Sequence, residues 1–119
     1  MKILILEDAS ERISQFKDIL KGHDLYFFDN VSEATAAYDL LGPWDALFID
    51  HDLDDRIYVD SSEENTGYQF AKNIEEKLLP ETVIVHSMNP VGCENIKSII
   101  SKASIIPFPN LIKLLTKGL

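Results

Sequence analysis

The feature that most constrains this chain is a repeated alternation of short apolar runs with segments of helix length. The runs are KILIL (residues 2–6), DLYFF (24–28), DALFI (45–49), TVIVH (82–86) and the weaker ASIIPF (103–108). Strands that alternate with helices are joined by crossovers, and crossovers lay helices on both faces of a parallel sheet, so each strand is apolar throughout. The intervening segments carry apolar residues at helical spacing: Ile13, Phe16 and Leu20; Val31, Ala34, Tyr38 and Leu41; Phe70, Ile74 and Leu78; then Ile96, Ile99 and Ile100. Asn30 with Glu33 and Thr66 with Gln69 fit capping boxes, and Asn89 before Pro90 fits an N-cap with proline at the first helical position. The C-terminal PNLIKLLTKGL reads as a last helix, with Lys113 and Lys117 toward the end where its dipole favours cations. At 119 residues the chain has room for one ordinary core. The expectation is a single α/β domain over residues 1–119, a doubly wound five-stranded parallel sheet in the order 2-1-3-4-5.

In such a sheet ligands bind beyond the carboxyl ends of the strands. Here those ends read Glu7 and Asp8, then Asp50, His51 and Asp52, then His86, Ser87 and Asn89. The order 2-1-3-4-5 makes strands one, three and four neighbours, so these groups converge although they are distant in sequence. Glu7, Asp8 and Asp50 held together repel unless a proton or cation is shared among them. Oxygen ligands favour Mg²⁺, Mn²⁺ or Ca²⁺ over zinc, and an imidazole in the shell shifts the balance toward Mn²⁺ or another transition metal. Competing assignments are a helix cap for Asp8, a turn aspartate for Asp50 and a strand-end histidine bonded to a carbonyl for His86.

Past strand four, Asn89 caps a helix whose first N–H groups, at Val91 and Gly92, suit an anion, and Gly92 has no side chain to obstruct it. Ser87 fits a hydrogen bond to phosphate better than a nucleophile, since no Ser-His-acid order is evident. His86 and His51 are candidates for moving protons near neutral pH. Strand alternation, however, turns His51 away from Asp50 unless the strand has already ended. The long connection at 51–66 carries Asp52, Asp54, Asp55, Asp60, Glu63 and Glu64, and is expected to be a solvated, mobile surface.

A net charge of −9 disfavours nonspecific binding to long nucleic acids, which requires a basic surface. No apolar stretch approaches the roughly 18 residues of a membrane span, and MKILILEDAS is too short for a signal-peptide core, so a cytosolic protein is expected. Cys93 is the sole cysteine, which rules out an intrachain disulfide.

The layout resembles the flavodoxin-like receiver domain of response regulators. Glu7 and Asp8 match its acidic pair, Asp50 its phospho-accepting aspartate and Ser87 its hydroxyl, while the lysine after strand five is missing from IIPFPN. The departures, DHDL (50–53), TGYQFA (66–71) and HSMNPVG (86–92), are similar to the receiver-like family described as cyclic-phosphate processing. That resemblance implies a metal-assisted phosphoesterase acting on a 2′,3′-cyclic RNA end or a cyclic nucleotide. In this picture Mg²⁺ or Mn²⁺ sits at Glu7, Asp8 and Asp50, His86 and His51 are the acid/base pair, and Ser87, Asn89, Val91 and Gly92 hold the phosphate. The alternatives are a signalling receiver phosphorylated on Asp50 and a module that binds a ligand or partner without chemistry.

Overall fold

In a computed structural model, which describes residues 1–54 and 56–118, five strands alternate with five helices. The order is β1 (Lys2–Leu6), α1 (Ser10–Ile19), β2 (Asp24–Phe28), α2 (Val31–Leu41), β3 (Ala46–Ile49), α3 (Gly67–Ile74), β4 (Thr82–Val85), α4 (Pro90–Ile99), β5 (Ser104–Ile105) and α5 (Phe108–Thr116). The strands form one sheet in the order β2-β1-β3-β4-β5, every neighbouring pair parallel. This is the expected α/β doubly wound topology.

Strand alternation splits the core in two. Leu4, Leu6, Leu47, Ile49, Val83 and Val85 face α2, α3 and α4, where they meet Tyr38, Phe70, Ile74 and Ile96. Ile3, Ile5, Ala46, Phe48 and Ile84 face α1 and α5, where they meet Phe16, Leu20, Phe108, Leu111 and Leu115. Each large side chain so buried contributes about 1.5–3 kcal/mol relative to exposure. The three sequence-legible caps are formed: Asn30 Oδ1 accepts from Glu33 N–H, Thr66 Oγ1 from Gln69 N–H and Asn89 Oδ1 from Gly92 N–H. Among the described residues no helix is long and apolar enough to cross a membrane.

Three expectations change. Strand five shrinks to Ser104–Ile105, because Pro107 has no N–H to extend the ladder and instead caps α5. Helix α3 stops at Ile74, which leaves Leu78 87% exposed. The acidic connection is anchored rather than loose: Leu53 and Val59 are buried, and Asp52 pairs with Thr66 in an isolated antiparallel bridge. Asp54, Asp60, Glu63 and Glu64 do lie on its exposed side, while Asp55 is outside the described residues.

Candidate functional site

The sheet register builds the site. Leu6 pairs with Ile49 and Ile49 with Val85, so the next residues, Glu7, Asp50 and His86, stand in one row across three adjacent strands. The row stays in line because Asp50 N–H donates to Leu6 C=O and His86 N–H to Ile49 C=O, each at 3.0 Å. Leu6, Ile49 and Val85 face α2–α4, so the following residues turn toward α1 and α5. There the His86 ring packs edge-on to Phe16 at 5.3 Å and tilted against Phe108 at 6.2 Å. Arg12, on the first turn of α1, reaches the same side.

Glu7 is fully buried and organises the row. Its Oε2 accepts from the N–H groups of Asp8 and Ala9, at 3.0 and 3.1 Å, while Oε1 lies 3.0 Å from His86 Nε2. The other ring nitrogen, Nδ1, is buried without a hydrogen-bond partner among the described residues. The Arg12 guanidinium stacks over Phe108 at 4.9 Å, with Nη1 3.6 Å from Glu7 Oε1 and 3.9 Å from Asp50 Oδ2. Burial works to raise the Glu7 carboxyl, but the bond and Coulombic pull of His86, the Ala9 N–H and Arg12 together hold it below the usual range. Asp50 goes the other way: burial first, then repulsion from Glu7, pushes it up to about 8 against the pull of Arg12. The two carboxyls therefore share a site in which one is charged and the other keeps its proton near neutral pH.

Glu7 and Asp50 of the row floor a pocket of about 300 Å³, with His86 buried behind them. Asp8 stands on its wall beside Glu7 and Asp50, with Ser87 on the β4 side. The chain has two arginines, Arg12 and Arg56, and both line this pocket in a protein of net charge −9. Sequence inspection passed over Arg12, although its place one turn beyond the acidic pair was the available signal. The apolar mouth was equally hidden, with Ile57 and Tyr58 inside a segment that reads as acidic and Met88 in the turn after β4.

The donor set suits a divalent cation. Glu7, Asp50 and His86 each offer a ligand atom, and these atoms lie within 4.8 Å of one another. Asp8, one residue on from the row, is not in this group but lines the same pocket beside Glu7 and Asp50.

His51 departs from expectation. Alternation turns it toward α4, where the ring is fully buried, with Nδ1 2.8 Å from Asp52 Oδ1 and Nε2 2.8 Å from Ser61 Oγ. The space that an absent side chain leaves at Gly92 is filled by this ring: a Cβ there would come within 2.4 Å of His51 Cγ. Gly92 therefore accommodates an imidazole, and its N–H is committed to Asn89 Oδ1. Asn89 is committed too, its Nδ2 donating to Asp52 Oδ1 and to Val59 C=O at 3.0 and 3.2 Å. Val91 is 70% exposed and, like Asn89 and Gly92, does not line the pocket. Asp52, expected on the solvated surface, is the hub of the network. Burial raises its carboxyl, but the bonds from His51, Asn89 and the N–H groups of Tyr58 and Val59 outweigh that and lower it.

A wider concavity of about 720 Å³ opens at the opposite end of the sheet, around Trp44, Leu79 and Pro80. Its Lys77 is paired with Asp39 at 2.9 Å on the surface, so it lacks the convergent buried groups of the Glu7–Asp50–His86 row.

Comparison with known proteins agrees with this architecture. Among solved structures, the N-terminal domain of an uncharacterized protein from Wolinella succinogenes superposes with a TM-score of 0.73 at 18% identity, covering 98% of this chain and 88% of that one. The signal receiver domain of a modulated diguanylate cyclase from Desulfovibrio desulfuricans gives 0.69 at 20% identity, covering 98% and 87%. The Mn²⁺-bound form of the response regulator Rcp1 gives 0.68 at 16%, covering 97% and 88%. At these identities the likeness establishes a receiver fold. No curated protein matches the chain in sequence. The sequence profile of the cyclic-phosphate processing receiver domain, however, matches residues 3–102, and on that match this receiver-fold chain belongs to the cyclic-phosphate processing receiver family.

Proposed function

We propose that the pocket hydrolyses a cyclic phosphodiester to a phosphomonoester, with a divalent cation, Mg²⁺ or Mn²⁺, held by Glu7, Asp50 and His86. One observation carries most weight: two carboxylates and an imidazole share a buried register row, with Asp50 pushed up to about 8 by Glu7 and burial. Such a row is costly to keep unless a proton or a cation is shared there, and a divalent cation would replace the Asp50 proton. When bound, the cation neutralises these carboxylates and polarises a phosphoryl oxygen. The Mn²⁺-bound form of Rcp1 supports divalent-cation binding in this fold. The family's description, cyclic-phosphate processing, supports the substrate class.

The chain's own residues divide the remaining work. Arg12, fixed by Phe108 and by both carboxylates, binds the phosphate by charge-assisted hydrogen bonds. Ser87, on the pocket wall, hydrogen-bonds a nonbridging oxygen. Ring opening takes one proton from water and returns one to the departing alkoxide. Asp8 lines the pocket and is placed to accept the first. His86 is fully buried against Glu7, so beyond its part in holding the cation it touches no substrate atom. Asn89 and His51 hold the loop that forms the far wall.

The test is incubation of the protein with Mn²⁺ or Mg²⁺ and 2′,3′- or 3′,5′-cyclic nucleotides, beside Asp50→Asn and Arg12→Ala. Phosphomonoester formed by the native chain and lost in Asp50→Asn is the expected result. No product from any substrate, with metal shown to be bound, overturns the proposal. A signalling role is the second candidate, favoured by the place of Asp50 on the pocket floor at the end of β3. Labelling of Asp50 by a small phosphodonor, abolished in Asp50→Asn, would establish it.

A further inference from the structure

The proposed hydrolysis leaves one part of the pocket without a task. Tyr58 is 70% exposed at its mouth, beside Ile57 at 79% and Met88 at 49%. Solvent-exposed apolar side chains over an acidic floor are unexpected in a loop as polar as 51–66.

The backbone shows that the position of Tyr58 is enforced. Its φ is +53°, in the left-handed region that bulky residues rarely adopt. Asp52 holds it there: Oδ2 accepts from Tyr58 N–H at 2.6 Å and Oδ1 from Val59 N–H at 3.2 Å. Asp52 is itself fixed by His51 and Asn89, at 2.8 and 3.0 Å, and the loop is pinned on either side by buried Leu53 and Val59. Strain that persists because its surroundings over-determine it tends to mark a functional surface. Here the polar network is partly buried, yet the ring that it positions is left open to solvent.

The geometry points to Tyr58, with Ile57 and Met88, as the platform on which the substrate's nucleobase stacks, its phosphate lying deeper at Arg12. This rests on the cyclic-phosphate function proposed above and narrows its substrate to one that carries a base. An aromatic face accepts any base, since every base has a π face. A volume of about 300 Å³ is at the lower end for small-molecule sites, which suits one nucleotide. The shared chemistry is a single base on a cyclic phosphate, supplied by a free nucleotide or by the terminal nucleotide of an RNA.

The test compares binding of 2′,3′-cyclic AMP with that of base-free glycerol 1,2-cyclic phosphate, by titration calorimetry of the full chain with Mn²⁺. Native protein is expected to prefer the nucleotide by roughly tenfold, the lower part of the range for base–aromatic stacking. Tyr58→Phe keeps that preference. Tyr58→Gly brings it near unity without lowering the melting temperature, because glycine is at ease at positive φ. A native preference near unity, a preference that survives in Tyr58→Gly, or no binding of either probe overturns the platform. Product analysis separates the two proposals: turnover without base preference removes only the platform, and base preference without turnover removes only the hydrolysis. A short RNA with a 2′,3′-cyclic end completes the series. Binding with the same Tyr58 dependence as cyclic AMP assigns the platform to RNA ends, and much weaker binding assigns it to free nucleotides.

Discussion

The Nε2 of His86 lies 3.0 Å from Oε1 of Glu7, joining residues 79 apart in sequence, and both side chains are fully buried. The contact ties β1 to β4 across β3 at the floor of the pocket. A buried pair of this kind is weak evidence for stability as a whole, yet losing one member leaves the other stranded. His86→Ala is therefore expected to destabilise the protein by about 3 kcal/mol in urea unfolding. Glu7→Gln added to His86→Ala should cost less than the sum of the single changes, with a coupling of at least about 1 kcal/mol. Additive effects would show that the two groups do not interact.

The pH dependence follows from Asp50. Its carboxyl is raised from 3.8 to about 8 by burial and by Glu7, so the folded chain keeps a proton that the unfolded chain releases. The stability associated with that proton is full below pH 3.8, is lost as pH rises, and levels off above about 8. Glu7 and Asp52, both lowered, act in the opposite sense, losing stability as pH falls below the ordinary carboxylate range. Between pH 5 and 8 the melting temperature of metal-free protein in EDTA should fall, with a limiting slope of about 1.4 kcal/mol per pH unit from this group. Asp50→Asn should remove that component of the slope.

Metal should reverse the trend. A cation bound to the folded state at a hundred times its dissociation constant stabilises by about 2.7 kcal/mol. Binding must displace the Asp50 proton, so the gain with Mn²⁺ should be larger at pH 8 than at pH 6. Thermal denaturation with and without Mn²⁺ measures it. Asp50→Asn and Glu7→Gln should each abolish most of the shift, and an undiminished shift in both would place the ion elsewhere.

Gly67 shapes the site from outside it. A Cβ there would lie 2.1 Å from the Asp50 carbonyl oxygen and 3.0 Å from His51 Cα, both backbone atoms that cannot swing aside. The same residue donates its N–H to His51 C=O at 3.0 Å, docking the start of α3 onto the end of β3. Gly67→Ala should cost about 3 kcal/mol or more, at the severe end for overpacking, and should lower Mn²⁺ affinity because Asp50 moves with its backbone. Unfolding and metal titration of the same variant test both parts.

Much of this was visible beforehand because local rules governed it. Asn30, Thr66 and Asn89 cap helices through side chains only three residues from their partners, and the apolar runs KILIL and DLYFF coincide with β1 and β2 residue for residue. Strand five was overestimated because ASIIPF is apolar enough for a strand, while Pro107 ends the ladder after Ile105. Leu78 continued the periodicity of Phe70 and Ile74, but periodicity does not say where a helix stops.

The sequence by itself determined the strand–helix alternation, the parallel topology that follows from it, and the gathering of polar residues at one edge of the sheet. Only the tertiary structure decided which of those residues meet. Glu7, Asp50 and His86 converge because Leu6, Ile49 and Val85 are in register. His51 is lost to the other face because one residue of displacement along a strand reverses a side chain. Arg12 joins the row because α1 crosses that face of the sheet, and Tyr58 reaches the mouth because Asp52 folds a polar loop back on itself. Those relations are set by packing between segments far apart in the chain, where no local pattern of residues can encode which partner each side chain will find.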